Sequence, residues 1–293
     1  MSLLDSRRHD DLASLEAGLD ALETQQAARP QRVRRLLSAA WPPAVAIALL
    51  LLVWELAYRA GVQPTYALPS PMDVFLVLHD QVADGRLPRA VLTSLERGGL
   101  GFLLAVLIGT PLGLVIARVR PVRRGIGPLV SGLQSLPSVA WVPAAIIFFG
   151  LGETAIYAVV LLGAVPSIAN GMVSGVDQVP PLLTRVGRVL GARGLAAARH
   201  VLLPAALPGY VAGLRQGWAF SWRSLMAAEL IVSSPKLGEG LGQLLDQGRL
   251  LSDMTLVFAG IVGILVVGIL VELCVFAPVE RSVLRRRGLL GAR

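Results

Sequence analysis

The chain has 293 residues, of which 54% are hydrophobic and 16% charged, and its mean hydropathy is +0.66. A water-soluble domain of that length needs more charge to cover its surface, and the apolar residues fall in long blocks, which excludes an ordinary soluble enzyme. The net charge of +8 rests on 26 Arg and a single Lys, Lys236, without interleaved aromatics, so it points to cytoplasmic loops of a membrane protein rather than to a nucleic-acid surface.

Some 40 mostly polar residues precede the first apolar stretch, so that stretch is expected as a retained helix and not as a secretory signal. Within the polar segment Leu12, Leu15, Leu19 and Leu22 recur at helical spacing, with Asp10, Asp11, Glu16, Asp20 and Glu23 on the other faces. Two readings fit: a cytoplasmic helix that touches a partner subunit, or a loosely ordered tail whose amphipathicity is incidental.

A helix needs about 20 apolar residues to cross the hydrocarbon core of a bilayer. Residues 41–58 supply the first such block, interrupted only by Glu55. Residues 98–117, 125–152 and 154–176 follow, all without charge. Residues 207–231 are apolar but carry Arg215, Arg223 and Glu229, and residues 255–279 contain only Glu272. The expected fold is all-α: a polytopic membrane protein with six transmembrane helices. It divides into a cytoplasmic segment at 1–40, a membrane domain at 41–279 and a basic tail at 280–293. Placing both termini inside puts 19 basic residues on the cytoplasmic side and six on the other, the asymmetry that sets membrane orientation. Prolines 111, 137, 143 and 166 each remove a backbone donor from a predicted span, as bends or as ordinary membrane-helix prolines.

Several chemistries are missing. A nucleotide-hydrolysing loop needs Gly-rich backbone ending in Lys-Ser or Lys-Thr, and Lys236 lies between Pro235 and Leu237. His9, His79 and His200 are scattered, and Cys274 stands alone in an apolar run, so neither a metal cluster nor a disulfide framework is expected. No Gly-x-Ser-x-Gly elbow appears. The chain is therefore expected not to be an enzyme, and any driving energy comes from another chain or from an ion gradient.

Between the fourth and fifth spans, residues 177–203 form a long connection. Two short helices separated by a turn at Gly191–Gly194 fit it, with Pro204 opening the next helix. Such a protrusion can insert into a groove on a partner and carry force; otherwise it is a linker whose Arg residues only reflect topology.

Here the sequence resembles the inner-membrane permeases of ATP-binding-cassette importers. Their signature is Glu-Ala-Ala, three residues, Gly, nine residues, an aliphatic residue, one residue, then Leu-Pro. Gly191, Val201, Leu203 and Pro204 occupy those positions, whereas Arg185-Val186-Gly187 stands where the family has Glu-Ala-Ala. Further matching segments are Val53-Trp54-Glu55-Leu56, Leu68-Pro69-Ser70-Pro71, Ser94-Leu95-Glu96-Arg97 and Gly109-Thr110-Pro111-Leu112-Gly113, then Leu136-Pro137-Ser138-Val139-Ala140-Trp141-Val142-Pro143, Phe149-Gly150-Leu151-Gly152-Glu153 and Ala227-Ala228-Glu229. Their order is closest to the sulfonate, taurine and nitrate branch. The resemblance implies a cytoplasmic coupling helix within 177–204, with Arg185, Gly187, Gly191, Ala192, Arg193, Gly194, Val201, Leu203 and Pro204 meeting the ATPase. It also implies a second copy of the permease, two ATPase subunits that hold ATP and Mg, an external substrate-binding protein at the outer segments 61–97 and 232–254, and no cofactor in this chain.

On the fifth span Arg215, Trp218, Trp222, Met226 and Glu229 lie within about 80° of one another at 100° per residue, with Arg223 adjacent. Gly209, Gly213 and Gly217 repeat on the opposite face, a pattern suited to close helix packing. The stripe either lines a translocation path for an anionic solute or makes structural ion pairs. The substrate classes that follow are aliphatic sulfonates first, then taurine, nitrate and pyrimidine-type vitamin precursors. A gradient-driven secondary transporter would instead require inverted repeats and midplane carboxylates, and a scaffold without transport would leave the stripe without a use.

Overall fold

The computed structural model describes residues 32–232 and 238–287, and every regular element among them is helical. The leucine-striped segment before residue 32, Lys236 and the end of the basic tail lie outside the described residues. The chain divides into two units, residues 1–63 and 64–293. The first unit contributes one helix, α1 (Arg32–Arg59), continuous through Pro42 and Pro43. Its apolar residues Leu49 to Val53 are exposed, the condition a surrounding bilayer would cover. Near its end Arg59 Nε donates to Glu55 at 2.6 Å, one helical turn apart.

In the second unit the Leu-Pro-Ser-Pro segment starts a helix. Ser70 caps α2 (Pro71–Ala83) by accepting the Asp73 N–H at 3.0 Å, with Pro71 in the first turn, where a missing donor is harmless. Then α3 (Arg86–Arg118) runs unbroken for 33 residues, through Pro111. The outer connection expected up to residue 97 is therefore largely helical, and Arg97 belongs to the long helix rather than to a loop.

The expected third span is not one helix. α4 (Arg120–Ser135) ends at Leu136, extended as residues before proline must be, and Pro137 opens a 3₁₀ turn, Ser138–Trp141. Pro143 then sits in the first turn of α5 (Val142–Phe149), and the chain bends by 101° between the two halves. Of the four prolines, 137 and 143 mark this break, while 111 and 166 lie in continuous helices.

α6 (Glu153–Asp177) is the centre of the unit, packed between α3 and α9 (Leu203–Ile231). Ala155, Ile156, Val159, Val160, Ala164, Ile168 and Ala169 are all fully buried on it. Its contact with α9 is glycine against glycine: a side chain at Gly213 would enter the Gly171 backbone, and Gly209 meets Gly175 in the same way. Removing the side chains lets two backbones approach and gain dispersion contact that lipid cannot outbid. Between α6 and α9 come α7 (Pro181–Val189), α8 (Gly194–Ala197) and a π turn, Ala198–Leu202. After α9, α10 (Leu241–Leu250) buries Leu241 and Leu244, and α11 (Met254–Val271) continues through a second π turn, Glu272–Phe276, into α12 (Ala277–Arg286).

Among the described residues, four helices are long and apolar enough to cross a membrane: residues 41–59, α3, α6, and the run from α11 to α12. The bent pair of α4 and α5 makes a fifth if it counts as one span. α9 has the length, with 29 residues, but carries Arg215, Arg223 and Glu229 along it.

Candidate functional site

Three regions of the second unit carry the residues singled out above. The first is the connection from α6 to α9. α7 is held against the π turn by Gly187, whose absent side chain leaves room for Val201: an added Cβ would come within 2.8 Å of the Val201 methyl. Gly191 and Gly194 turn the chain with φ of +84° and +56°, the left-handed region glycine enters without strain. The result is a helix–turn–helix protrusion with Arg185 and Arg193 exposed, Ala192 half-buried, and Leu203 and Pro204 leading into α9. Its outer face is apolar. Val189 is 87% and Leu190 80% exposed, next to exposed Leu182 and Val186. An open cavity of about 750 Å³ lies beside it, reached by Leu183, Val186, Leu190 and His200. Exposed apolar residues clustered on a basic protrusion are the mark of a surface that meets another protein.

The second region is a buried ionic cluster at the far end of α9. Glu229 has no solvent exposure and Arg97 only 3%. Arg97 Nη1 donates to Glu229 Oε1 at 3.1 Å, Ser94 Oγ donates to Oε2 at 2.7 Å, and the Gly242 N–H donates to the same oxygen at 3.1 Å. The Leu241 N–H in turn donates to Ser94 Oγ, and Arg97 Nη2 to the Gly238 carbonyl. Glu153, at the start of α6, approaches Arg97 Nε at 3.5 Å. A buried charge pair holds when both members find further hydrogen bonds, and this one joins α3, α6, α9 and the start of α10. Gly240 and Gly242 are required there, because a Cβ on either would come within about 2.5 Å of Glu229. Arg86 adds a half-exposed tie, to Glu239 at 2.8 Å and Gln247 at 2.7 Å.

The third region is the break between α4 and α5, where a cavity of about 330 Å³ opens between that turn, Gly163 of α6, and Phe220 and Arg223 of α9. The Arg223 guanidinium lies 4.5 Å above the Phe220 ring and its Nε donates to the Ala219 carbonyl.

The stripe along α9 thus divides. Trp218 and Trp222 stack on each other, with centroids 6.0 Å apart, and are buried among Phe102, Phe276 and Gly98. Glu229 belongs to the ionic cluster. Arg215 is held by two carboxylates beyond α9, Glu272 at 2.5 Å and Glu280 at 3.1 Å. Arg223 alone faces a cavity. On the opposite face Gly209 and Gly213 meet α6 backbone and Gly217 meets Ile168. Arg97 and Ser94, whose side chains bind Glu229, and Glu153, which approaches Arg97, were not among the candidates. Their signal was their presence in the Ser-Leu-Glu-Arg and Phe-Gly-Leu-Gly-Glu segments, which carried the resemblance without a stated role.

A multi-pass helical membrane protein with a protruding connection between two long helices is a permease-type fold, and comparison with known proteins makes the class specific. Residues 109–280 match the family described as "Binding-protein-dependent transport system inner membrane component". A putative ABC transporter permease protein of Methanocaldococcus jannaschii is 32% identical over 229 residues, 77% of this chain and 84% of that one. A putative aliphatic sulfonates transport permease protein of Bacillus subtilis is 30% identical over 240 residues, 82% of this chain and 85% of that one. Among solved structures, one of the MetNI methionine ABC transporter in inward-facing conformations aligns with a TM-score of 0.58 at 24% identity, covering 67% of this chain and 95% of that chain, and shows the same fold. The chain belongs to the family of binding-protein-dependent inner-membrane transport components. It is a permease subunit of an ABC importer, a multi-pass inner-membrane protein and not an enzyme.

Proposed function

We propose that two copies of this chain, each with six spans and both termini in the cytoplasm, form the membrane path of an importer for aliphatic sulfonates or a related small anion. α9 supplies a span despite its charges, since Arg215 is paired, Glu229 is buried in the cluster and Arg223 faces a cavity. Two cytoplasmic ATPase subunits, which hold ATP and Mg, dock on the 177–204 protrusion, and an external binding protein delivers the solute to the other side. The observation that carries this reading is the protrusion itself, with Val189 and Leu190 exposed and its last π turn continuous with α9. Closure of the ATPases, transmitted through that turn, would swing α9 and the α6 packed on it, and so alternate access between the two copies. The path runs on the Arg223 side of α9. Taurine, nitrate and pyrimidine-type precursors remain as alternative cargoes.

The test is crosslinking. Cysteines at Arg193 or Gly194 are expected to trap the ATPase subunit, which co-purifies in equal number with this chain. An intact complex in which neither position traps it would remove the coupling role. Accumulation of solute by this chain alone, without an ATPase, would remove the importer reading altogether.

A further inference from the structure

The two arginines of α9 differ in what surrounds them, and the difference bears on cargo. Arg215 lies against two carboxylates and presents no free positive charge. Arg223 has no carboxylate within ion-pair distance among the described residues; its partners are a carbonyl oxygen and an aromatic face. It stands eight residues from the end of α9, about 12 Å along the axis, and in a span of the proposed permease an unpaired guanidinium at that place would be expected to face water or a polar interior.

The cavity in front of Arg223 offers the donors of Arg223 and Gln134. Gln134 Oε1 already accepts from Asn170 at 2.6 Å, so its amide N–H groups are what remain for a ligand, and Arg223 keeps its Nη donors after Nε is used. Leu133, Leu136, Val139 and Phe220 supply apolar wall. No Asp or Glu lines the cavity, so a cationic group finds no carboxylate to pair with there. The volume, about 330 Å³, is that of a small-ligand site.

We propose that this cavity binds the head group of an organic monoanion on Arg223 and Gln134, takes an aliphatic tail against the Leu136 and Phe220 wall, and discriminates against zwitterions for want of a carboxylate. The inference rests on the importer reading and narrows its cargo. The probe is radiolabelled butane-1-sulfonate, measured at equilibrium on the purified permease–ATPase complex in nanodiscs without nucleotide. Saturable binding is expected, displaced by taurine at least tenfold more weakly than by unlabelled butane-1-sulfonate. Arg223→Gln should weaken binding tenfold or more and Arg223→Lys less. Ser138→Asp, which places a carboxylate in the cavity, should shift the preference toward taurine; this decides the matter if Arg223→Gln does not assemble. Absence of saturable binding, equal displacement by taurine, or unchanged affinity in Arg223→Gln would overturn the proposal. The importer reading is judged separately, by co-purification of the ATPase.

Discussion

The two ends of α9 have opposite constructions. At Leu203 the helix emerges from a protrusion whose turns are glycine and whose Leu182, Val186, Val189 and Leu190 are exposed, while Leu202 packs on Val179 and Ala206. At Glu229 the same helix is fastened from three sides by hydrogen bonds to a carboxylate with no solvent exposure. One end is satisfied by the chain itself; the other, in the function proposed above, docks on an ATPase subunit. A rigid rod anchored at one end and handed to a partner at the other is a lever, and its two ends are expected to fail in different ways when altered.

The largest effect belongs to the anchored end. Glu229→Ala leaves Arg97 buried with only the half-exposed Glu153 at 3.5 Å as a counter-charge, so unfolding of the detergent-solubilised permease should show a loss of about 3 kcal/mol. Replacing both Arg97 and Glu229 with Met should lose much less, because no orphan charge remains. If single and double variants are equally unstable, the cluster is not what fastens this end. In the middle of the lever, Gly213→Leu forces α9 away from Gly171 and should cost about 1–3 kcal/mol in the same measurement. At the free end the sign of the comparison changes. Val189→Asp with Leu190→Asp should leave stability within about 0.5 kcal/mol, since both side chains are exposed, yet lower ATPase co-purification roughly tenfold, about 1.4 kcal/mol of docking. Normal docking would show that the bare apolar face is not the partner surface. The smallest effect is expected for Arg123→Gln. The pair it breaks, Arg123 with Asp177 at 2.6 Å, is exposed to solvent on both sides, so the unfolding midpoint should hardly move.

Much of this was legible in the chain. Apolar blocks marked where the long helices lie, the third block excepted, and the Gly and Trp faces of α9 followed from helical spacing alone, because periodicity fixes which residues share a face. What covers a face is a tertiary fact. Glu229 and Arg97 lie 132 positions apart, so nothing local to the fifth span announces their pairing, and Arg97 read as part of a polar connection where the structure has the continuous α3. The distinction between Arg215 and Arg223 was hidden for the same reason, since the carboxylates that neutralise Arg215 come from another helix. The break at Pro137 was visible only as one proline among four. Pro111 and Pro166 sit within long helices packed on neighbours that hold the backbone straight, whereas the short pieces around 137 have an extended residue before it and a 3₁₀ turn after.

The π turn at Glu272–Phe276 carries a consequence for how one guanidinium is shared. Glu272 and Glu280 are eight positions apart, which on a regular α-helix would leave them about 80° out of line. A π turn takes in one additional residue, absorbing about 100° of rotation, so the second carboxylate comes round to within about 20° of the first. That single inserted register step is what lets two acids from one helix grip the same arginine. Straightening that turn into regular α-helix with every residue kept would carry Glu280 about 80° round its helix and away from Arg215, whereas deleting one residue would leave the two acids seven apart and still in line.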